Sequence, residues 1–323
     1  MNRRTYALLA ALAAALAIRS ARRRARRTVF AGRVVVITGG SRGLGLQVAR
    51  DAAARGARLA LLARSEVELA AARDELRASG ATVLALRCNV RSDDDVRTAF
   101  ARIEAELGPV DVLVNVAGII GVGPVDALTM DDYVEAIDTN YLGAVRAVEA
   151  VRPAMQRRRA GRIVNISSIG GKVAIPLLLP YSASKFALRG YSEGLRAELA
   201  RDGISVTTVV PGLMRTGSPP HGTFAGQPEL EYALFAPADE LPFTSISVAS
   251  AARSILDATE RGAAEIVLSP QAKLLSRLYA VAPRAIMGLM ATVNRVLPRS
   301  GGSTEHRPGS RSTKCWSEPA SGR

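Results

Sequence analysis

Cysteine and histidine are scarce in this sequence of 323 residues. Its two cysteines, Cys88 and Cys315, exclude a disulfide scaffold and a cysteine-rich zinc site. Its two histidines, His221 and His306, argue against a histidine-based metal centre and against a Ser-His-Asp triad. Charged residues make up only 22% of the chain and hydrophobic residues 48%, which excludes disorder as the main state. The length suits one large α/β domain or two small domains.

Acidic residues are nearly absent from both ends of the sequence. Residues 1–33 carry nine Arg and no acid, and residues 271–323 carry nine Lys or Arg against two Glu. The net charge of +14 therefore belongs to the two ends, and residues 34–270 are close to neutral. A neutral body argues against nucleic-acid binding. Basic ends beside apolar segments fit a membrane surface, and the alternative for the C-terminal end is a solvated tail.

A short apolar run opens the sequence. Thirteen residues, Tyr6–Ile18, lie between Arg3-Arg4 and a block of arginines that ends at Arg27. A transmembrane helix needs about 20 apolar residues, so residues 1–31 allow three interpretations: a signal anchor or interfacial helix, a cleaved export signal, or a plain surface helix. We favour the first, because arginines follow the run directly. Positive charge on that side would keep the body of a membrane-associated protein in the cytoplasm.

Strand and helix patterns alternate over residues 32–270. Arg33–Thr38 is a β-branched run typical of a buried parallel strand. Further strands are predicted at Ala57–Ala63, Ala81–Arg87, Val110–Val114, Arg162–Ile166, Ser205–Val210 and Glu265–Leu268. Helices are predicted at Leu44–Arg55, Glu66–Ser79, Asp93–Leu107, Thr129–Arg152 and Tyr181–Arg201. This alternation predicts an α/β fold with a doubly wound parallel sheet, the Rossmann fold, in a single domain.

Three C-terminal stretches interrupt or follow this alternation. Residues 213–247 are irregular and proline-rich, and we interpret this long loop as a substrate lid. Residues 271–298 are apolar, with four basic residues on one helical stripe and a kink expected at Pro283. That stretch fits an interfacial membrane helix and a core-packed helix equally well. Residues 299–323 are rich in Gly, Ser, Pro and Arg and are predicted to be a disordered tail.

A glycine-rich turn follows the first predicted strand and opens a helix. It reads Thr38-Gly-Gly-Ser-Arg-Gly-Leu-Gly45. Glycines let the backbone turn tightly and approach a pyrophosphate, and the helix N-terminus presents N–H groups and a positive dipole end to that anion. The turn predicts dinucleotide binding by Gly39, Ser41, Arg42, Gly43, Leu44 and Gly45.

Four polar residues further along complete a recognisable pattern. Tyr181 and Lys185 are spaced to share one face of a predicted helix. Chance alone makes such a pair rare here, since the sequence has only four Lys and seven Tyr. Ser168 precedes Tyr181 by thirteen residues, just past a predicted strand, and Asn140 lies in the helix before that strand. In this order, the glycine turn and these four residues resemble the short-chain dehydrogenase/reductase family over about residues 33–270.

The resemblance implies hydride transfer between a nicotinamide cofactor and a carbonyl or alcohol. A free tyrosine has a pKa of ~10 and is a poor base at neutral pH. The Lys185 cation and the nicotinamide charge would stabilise the phenolate, so that Tyr181 acts as general acid or base. Ser168 would hold the substrate carbonyl and stabilise its developing negative charge. By the family pattern, Lys185 also binds the nicotinamide ribose, and Asn140 holds a water that relays protons.

The same resemblance implies cofactor contacts outside the glycine turn. Two positions depart from the family pattern: Val116 stands in place of an asparagine, and Asn89 in place of an aspartate. We expect cofactor binding to survive both changes. Position 116 needs only a small side chain, and Asn89 can still hydrogen-bond the adenine. The implied contacts are Asn89, Val90, Asn115, Ala117, Gly118, Pro211, Gly212 and Thr216, together with Tyr181 and Lys185.

The end of the second predicted strand bears on cofactor choice. NAD-binding proteins of this fold place an acid there to bind the 2′-hydroxyl of the ribose. Here the strand ends in Ala63-Arg64-Ser65, with no acid at its tip. Arg64 and Arg42 can instead clamp a 2′-phosphate, so NADP(H) is predicted over NAD(H).

These observations favour one function and leave an alternative. The favoured function is an NADPH-dependent oxidoreductase that interconverts a lipophilic ketone or aldehyde and its alcohol. The alternative is a non-catalytic NADP(H)-binding redox sensor or a membrane scaffold. The resemblance also implies a homo-oligomer packed through the helices of Asn140 and Tyr181. A composition rich in Ala and Arg and poor in Lys indicates a bacterial source with a GC-rich genome.

Overall fold

The computed structural model describes residues 30–215, 217, 219–240, 245–297, 299–300, 303 and 305–312. The predicted N-terminal anchor, through residue 29, and the predicted cofactor residue Thr216 lie outside these ranges. So do residues 241–244 of the predicted lid and residues 313–323 of the predicted tail.

A parallel sheet of seven strands forms the centre of the molecule. Its order is β3-β2-β1-β4-β6-β7-β11, and every neighbouring pair is parallel. This arrangement confirms the predicted single-domain, doubly wound α/β fold. The chain order reverses between β1 and β4, which places the crevice for a ligand beside them. The strands are β1 (Val34–Thr38), β2 (Arg58–Ala63), β3 (Val83–Arg87), β4 (Val112–Asn115), β6 (Gly161–Ile166), β7 (Ile204–Pro211) and β11 (Glu265–Leu268).

Helices cover both faces of this sheet. β1 is buried along its whole length, because its side chains enter separate apolar cores on the two faces. Val35 and Ile37 belong to one core, and Val34 and Val36 to the other. The main helices are α1 (Gly43–Ala53), α2 (Glu66–Ala78), α3 (Asp93–Leu107), α4 (Met130–Ile137), α5 (Gly143–Arg158), α6 (Leu179–Leu199) and α8 (Val248–Arg261).

Buried polar side chains connect the central strands. Asn115 on β4 donates from its amide to Asn165 Oδ1 on β6 at 2.9 Å, and Asn165 donates to Ser192 Oγ on α6 at 3.1 Å. Thr208 on β7 donates to the same Ser192 oxygen at 2.8 Å. The Asn115 amide therefore bridges β4 and β6.

The structure differs from the prediction at three places. The predicted helix Thr129–Arg152 is interrupted by a π-helical turn, Asp138–Leu142, between α4 and α5. The lid, predicted to be irregular, contains the helix α7 (Pro228–Glu240). In contrast to the predicted disordered tail, β12 (His306–Pro308) pairs with β9 (Thr223–Ala225).

Short strands and C-terminal helices lie outside the central sheet. β5 (Gly121–Val122) pairs with β9, so β5, β9 and β12 form a small sheet, and β8 (Met214–Arg215) pairs with β10 (Ile246–Ser247). After β11 come α9 (Pro270–Val281), α10 (Pro283–Asn294) and, past β12, the short α11 (Gly309–Ser312). The expected break at Pro283 is present as a 120° bend. Within the described ranges no single helix is long and apolar enough to cross a membrane, and only α9 and α10 together meet that test.

Candidate active site

A cleft of about 560 Å³ opens where the central strands end, at the reversal between β1 and β4. Most residues predicted to bind the cofactor line it, together with Ser168. Asn115 and Asn140 lie beneath it, buried to 3% and 1% exposure, and Thr216 is outside the described residues. The predicted residues that line the cleft are Gly39, Ser41, Arg42, Gly43, Leu44, Gly45, Arg64, Asn89, Val90, Ala117, Gly118, Tyr181, Lys185, Pro211 and Gly212.

The glycine turn requires glycine at two of its positions for steric reasons. Gly39 has a φ of 68°, and a Cβ there would lie 2.8 Å from the backbone nitrogen of Ala117. A Cβ on Gly45 would overlap the carbonyl oxygen of Gly39. The turn is therefore folded tightly on itself and packed against the end of β4, and both of its flanks line the cleft.

The N-terminus of α1 is chemically unlike those of its two neighbours. Ser65 caps α2 and Ser92 caps α3, and both helices carry acids in their first turn. The first turn of α1 contains no acid, and Arg42 at its N-cap makes no capping bond with its side chain. Because the first N–H groups of a helix need an acceptor, α1 offers them to an anion in the cleft. The residues present thus fit the pyrophosphate of a dinucleotide.

The opposite end of the cleft brings Ser168 and Tyr181 together. A Cβ built on Gly170 would lie 3.4 Å from Tyr181 Cε1 and 3.5 Å from Ser168 Oγ, so both side chains border the same small volume. Ser168 follows β6, and its hydroxyl accepts a hydrogen bond from the Gly170 backbone at 3.1 Å. Tyr181 lies in the first turn of α6.

Lys185 lies one helical turn beyond Tyr181 and is only 5% exposed. Its Nζ donates to the carbonyl oxygen of Ile166 at 3.0 Å and lies 5.7 Å from the centre of the Tyr181 ring. Burial lowers the pKa of the Lys185 ammonium from its ordinary 10.5 to about 8, because desolvation disfavours the charged form. The ammonium thus faces the phenol, and no acid among the residues that the structure describes pairs with it.

Asn140 lies in the π-helical turn, a local irregularity that is common at functional sites. Its Oδ1 accepts from Ile119 N at 2.7 Å, and its amide donates to Ile119 O at 3.1 Å and to Ser184 Oγ at 2.9 Å. A Cβ on Gly118 would lie 2.8 Å from Asn140 Oδ1 and 3.4 Å from Lys185 Nζ. Asn140 therefore fixes the loop after β4 against α6, directly beside the lysine.

Glu68 lines this cleft and was not predicted from the sequence. Its carboxylate accepts from Ser41 Oγ at 2.9 Å and lies 3.5 Å from Arg42 Nε. His221 also lines the cleft, and burial and then the nearby Arg42 charge lower its pKa. The tip of β2 has no acid, but Glu68 in the first turn of α2 places a carboxylate at the same end of the cleft. The signal was present in Ser65-x-x-Glu68, which marks Glu68 as a first-turn residue.

A family model described as short chain dehydrogenase matches residues 33–220. The chain belongs to the short-chain dehydrogenase/reductase family. Dehydrogenase/reductase SDR family member 7B of Bos taurus is 36% identical over 266 residues, which cover 80% of each protein. The 3-oxoacyl-(acyl-carrier-protein) reductase of Escherichia coli (strain K12) is 36% identical over 187 residues, covering 58% of this chain and 75% of that protein.

Solved structures of the family agree with this assignment. An actinorhodin polyketide ketoreductase variant solved with NADPH has a TM-score of 0.66 at 30% identity, covering 73% of this chain and 95% of that one. A short-chain dehydrogenase from Streptomyces avermitilis has a TM-score of 0.69 at 30% identity, covering 81% and 98%. This member of the family is an NAD(P)-dependent oxidoreductase that acts on CH–OH or C=O groups.

The described residues contain no cluster of His, Cys, Asp and Glu that could hold a metal ion.

Proposed function

We propose that this protein is an NADPH-dependent reductase of lipophilic ketones or aldehydes. The observation that carries the proposal is the grouping of Ser168, Tyr181 and Lys185 at one end of a cleft whose other end presents Arg42 and Arg64. One end suits proton transfer to a carbonyl oxygen, and the other suits a phosphate.

The proposed roles follow from the positions of the side chains. A bound nicotinamide supplies the hydride. Ser168 donates a hydrogen bond to the carbonyl oxygen and stabilises the negative charge that develops there. Tyr181 gives its phenolic proton to the same oxygen as general acid. Lys185, buried beside the ring, stabilises the phenolate that is left, and Asn140 positions the loop next to the lysine.

A preference for NADPH is part of the proposal. Arg42 and Arg64 both line the end of the cleft beside β2, where a guanidinium pair can bind a 2′-phosphate. The actinorhodin ketoreductase similar to this chain was solved with NADPH, which supports the same choice. Glu68 opposes it, because its carboxylate occupies the Arg42 side of this end. We infer that the two arginines outweigh the single acid.

The apolar lid supports a lipophilic substrate. Val122, Leu178 and Phe224 form a buried cluster around the small sheet, and the Tyr181 ring packs against it. Ile120 belongs to the edge of this cluster and also lines the cleft. A substrate that reaches Tyr181 from this side therefore meets mainly hydrocarbon.

Two further proposals concern the surroundings of the protein. We propose that residues 1–29 associate with a membrane and leave the catalytic domain in the cytoplasm, because arginines directly follow their short apolar run. We also propose a homo-oligomer packed through α6, the helix of Tyr181, and through the helical segment of Asn140, which runs from α4 to α5. Val134 on α4 and Phe186 on α6 support this proposal, because their apolar side chains are exposed. Sedimentation velocity of the detergent-purified protein tests the second proposal, and a monomer at micromolar concentration would contradict it.

The experiment that tests the function measures NADPH and NADH oxidation by the purified full chain with a panel of lipophilic ketones and aldehydes. Tyr181→Phe should lower turnover by about 10² to 10⁴ while NADPH binding persists. Tyr191→Phe is the matched control, because Tyr191 lies on the same helix and its buried hydroxyl has no hydrogen-bond partner within the described part of the chain. Cofactor binding without reduction of any carbonyl would favour the redox-sensor alternative, and faster turnover with NADH would contradict the NADPH preference.

A further inference from the structure

The two helices after β11 form an arm that is attached to the domain at one end. We call α9 and α10 together the C-terminal helix pair. Ala272 and Leu275 on α9 pack against Ile169 and Val210, next to the catalytic end of the cleft. Beyond this contact most residues of the pair are exposed, and Ile286 is the buried residue of α10. The helix pair therefore projects from the domain.

The free side of the pair is apolar. Leu274, Leu278 and Val281 lie at i, i+4 and i+7 on one face of α9, and they are 59%, 47% and 86% exposed. α10 and the residues just after it carry further exposed apolar side chains. These are Met287, Leu289, Val293 and Val296. An exposed run of large apolar side chains of this extent marks an interaction surface.

The charge on the pair has one sign. Lys273 and Arg277 lie one turn apart on α9, beside the apolar face. Arg284 lies in the first turn of α10, and Arg295 directly follows its last residue. No Asp or Glu occurs in the sequence between Glu265 and Glu305. An apolar face bordered by lysines and arginines lets the side chains enter hydrocarbon while the cations meet anionic headgroups.

We propose that the C-terminal helix pair docks on the surface of an anionic lipid bilayer. Charge favours an anionic bilayer over two other partners for this surface, a second copy of the chain and its own residues 1–29. A second copy would bring its own basic pair against this one, and like charges would face each other. Residues 1–29 of the same chain carry eight arginines and no acid, so they too would be repelled. An anionic membrane satisfies both the apolar face and the basic border.

The proposal places the membrane beside the substrate end of the cleft. α9 packs on Ile169, the residue after Ser168, and Ser269 at its N-cap lies against Gly212 of the cleft wall. Docking does not depend on the reductase function proposed above. It would nevertheless put the cleft within reach of molecules dissolved in the bilayer.

The experiment uses the full chain with an environment-sensitive fluorophore attached to the helix pair. Leu278→Cys carries the probe in a Cys315→Ser background. The remaining Cys88 is buried, and burial raises its pKa to about 11, so it does not react at neutral pH. The probe is then mixed with phosphatidylcholine vesicles, with and without phosphatidylglycerol. The matched control carries the probe at Val67→Cys, an apolar position on α2 that is 82% exposed and flanked by acids.

We expect the probe at position 278 to shift to blue emission only on the anionic vesicles, and the probe at position 67 to remain in water on both. Replacing Lys273 and Arg277 by glutamine should lower the docking equilibrium constant about 25-fold, since each basic residue at an anionic surface contributes about fivefold. The signal reports local docking, so it is independent of any binding through residues 1–29.

Three outcomes would overturn the proposal. The protein could sediment with the vesicles while the probe at Leu278→Cys stays in water, which would assign binding to another segment. The probe could enter neutral vesicles equally well, which would remove the role of the basic border. The probe could also become buried without vesicles as the protein concentration rises, which would make a second copy the occupant.

Discussion

Replacing Glu68 with glutamine tests how the Glu68 carboxylate and the Arg42 guanidinium oppose each other at the adenosine end of the cleft. In the free protein the Glu68 carboxylate accepts from Ser41 and lies 3.5 Å from Arg42, the residue we assign to the 2′-phosphate. A phosphate that reaches Arg42 must therefore approach this carboxylate. Glutamine keeps the size and the hydrogen-bonding ability of the side chain and removes only its charge.

The size of the effect follows from exposure. Two unit charges about 4 Å apart interact by ~1 kcal/mol in water and ~4 kcal/mol near a protein surface. Glu68 and Arg42 are 37% and 45% exposed, so the lower figure applies. A phosphate carries about 1.5 to 2 charges, and Glu68→Gln should strengthen NADPH binding by ~1–2 kcal/mol, or about 5- to 30-fold. NADH binding should change little, because NADH lacks this phosphate.

Titration of NADPH and NADH by fluorescence measures both affinities, and added salt should reduce the difference between variant and wild type. Glu66→Gln is the control, since Glu66 begins the same helix but its side chain is 77% exposed and lies near Arg87. Weaker NADPH binding by Glu68→Gln would refute the reasoning. It would mean that Glu68 holds Arg42 in place for the phosphate rather than opposing it.

Three further predictions concern the turn, the buried lysine and the lid. Gly45→Ala should abolish NADPH binding in a titration and lower stability by about 1–3 kcal/mol, because its Cβ would overlap Gly39 O. Gly190→Ala should be harmless, because a Cβ there would lie more than 4 Å from every described atom outside its own stretch of helix. Lys185 has a pKa of about 8, so NADPH affinity measured across pH should fall as the pH rises through 8 and the cation is lost; a flat profile would contradict this. Burial raises the pKa of Glu231 from 4.5 to about 7, so stability present below pH 4.5 is lost as the pH rises through 7. Glu231→Gln should then raise the free energy of unfolding at alkaline pH by up to ~3 kcal/mol, seen as a higher melting temperature, and an equal effect in acid would argue against this cause.

The parts of the fold that the sequence predicts are those that depend on local pattern. β1 can be predicted because it consists of β-branched residues throughout, as a strand buried on both faces does. α3 can be predicted because Ser92 and Gly108 mark its two ends. The glycine turn can be predicted because its conformation excludes side chains at Gly39 and Gly45, which leaves a glycine pattern in the sequence. Each of these features follows from a few consecutive residues.

The features that escaped prediction depend on contacts between distant segments. Glu68 enters the cleft because α2 turns its first residues toward Ser41, which is 27 positions away in the sequence. No local residue requires the π-helical turn around Asn140, whose side chain bonds to the distant Ile119 backbone and to Ser184. β12 looks disordered by composition, since its order comes from pairing with β9.

The pairing of β12 with β9 has a consequence for the order of assembly. The small sheet joins residues near position 121, position 224 and position 307, so it spans most of the chain. Synthesis proceeds from the N-terminus, and the seven-stranded sheet has all its strands once β11 is made. The lid edge can be completed only later, when His306–Pro308 have left the ribosome. In a nascent chain of this protein, the cofactor cleft would thus form before the substrate side of the cleft is closed.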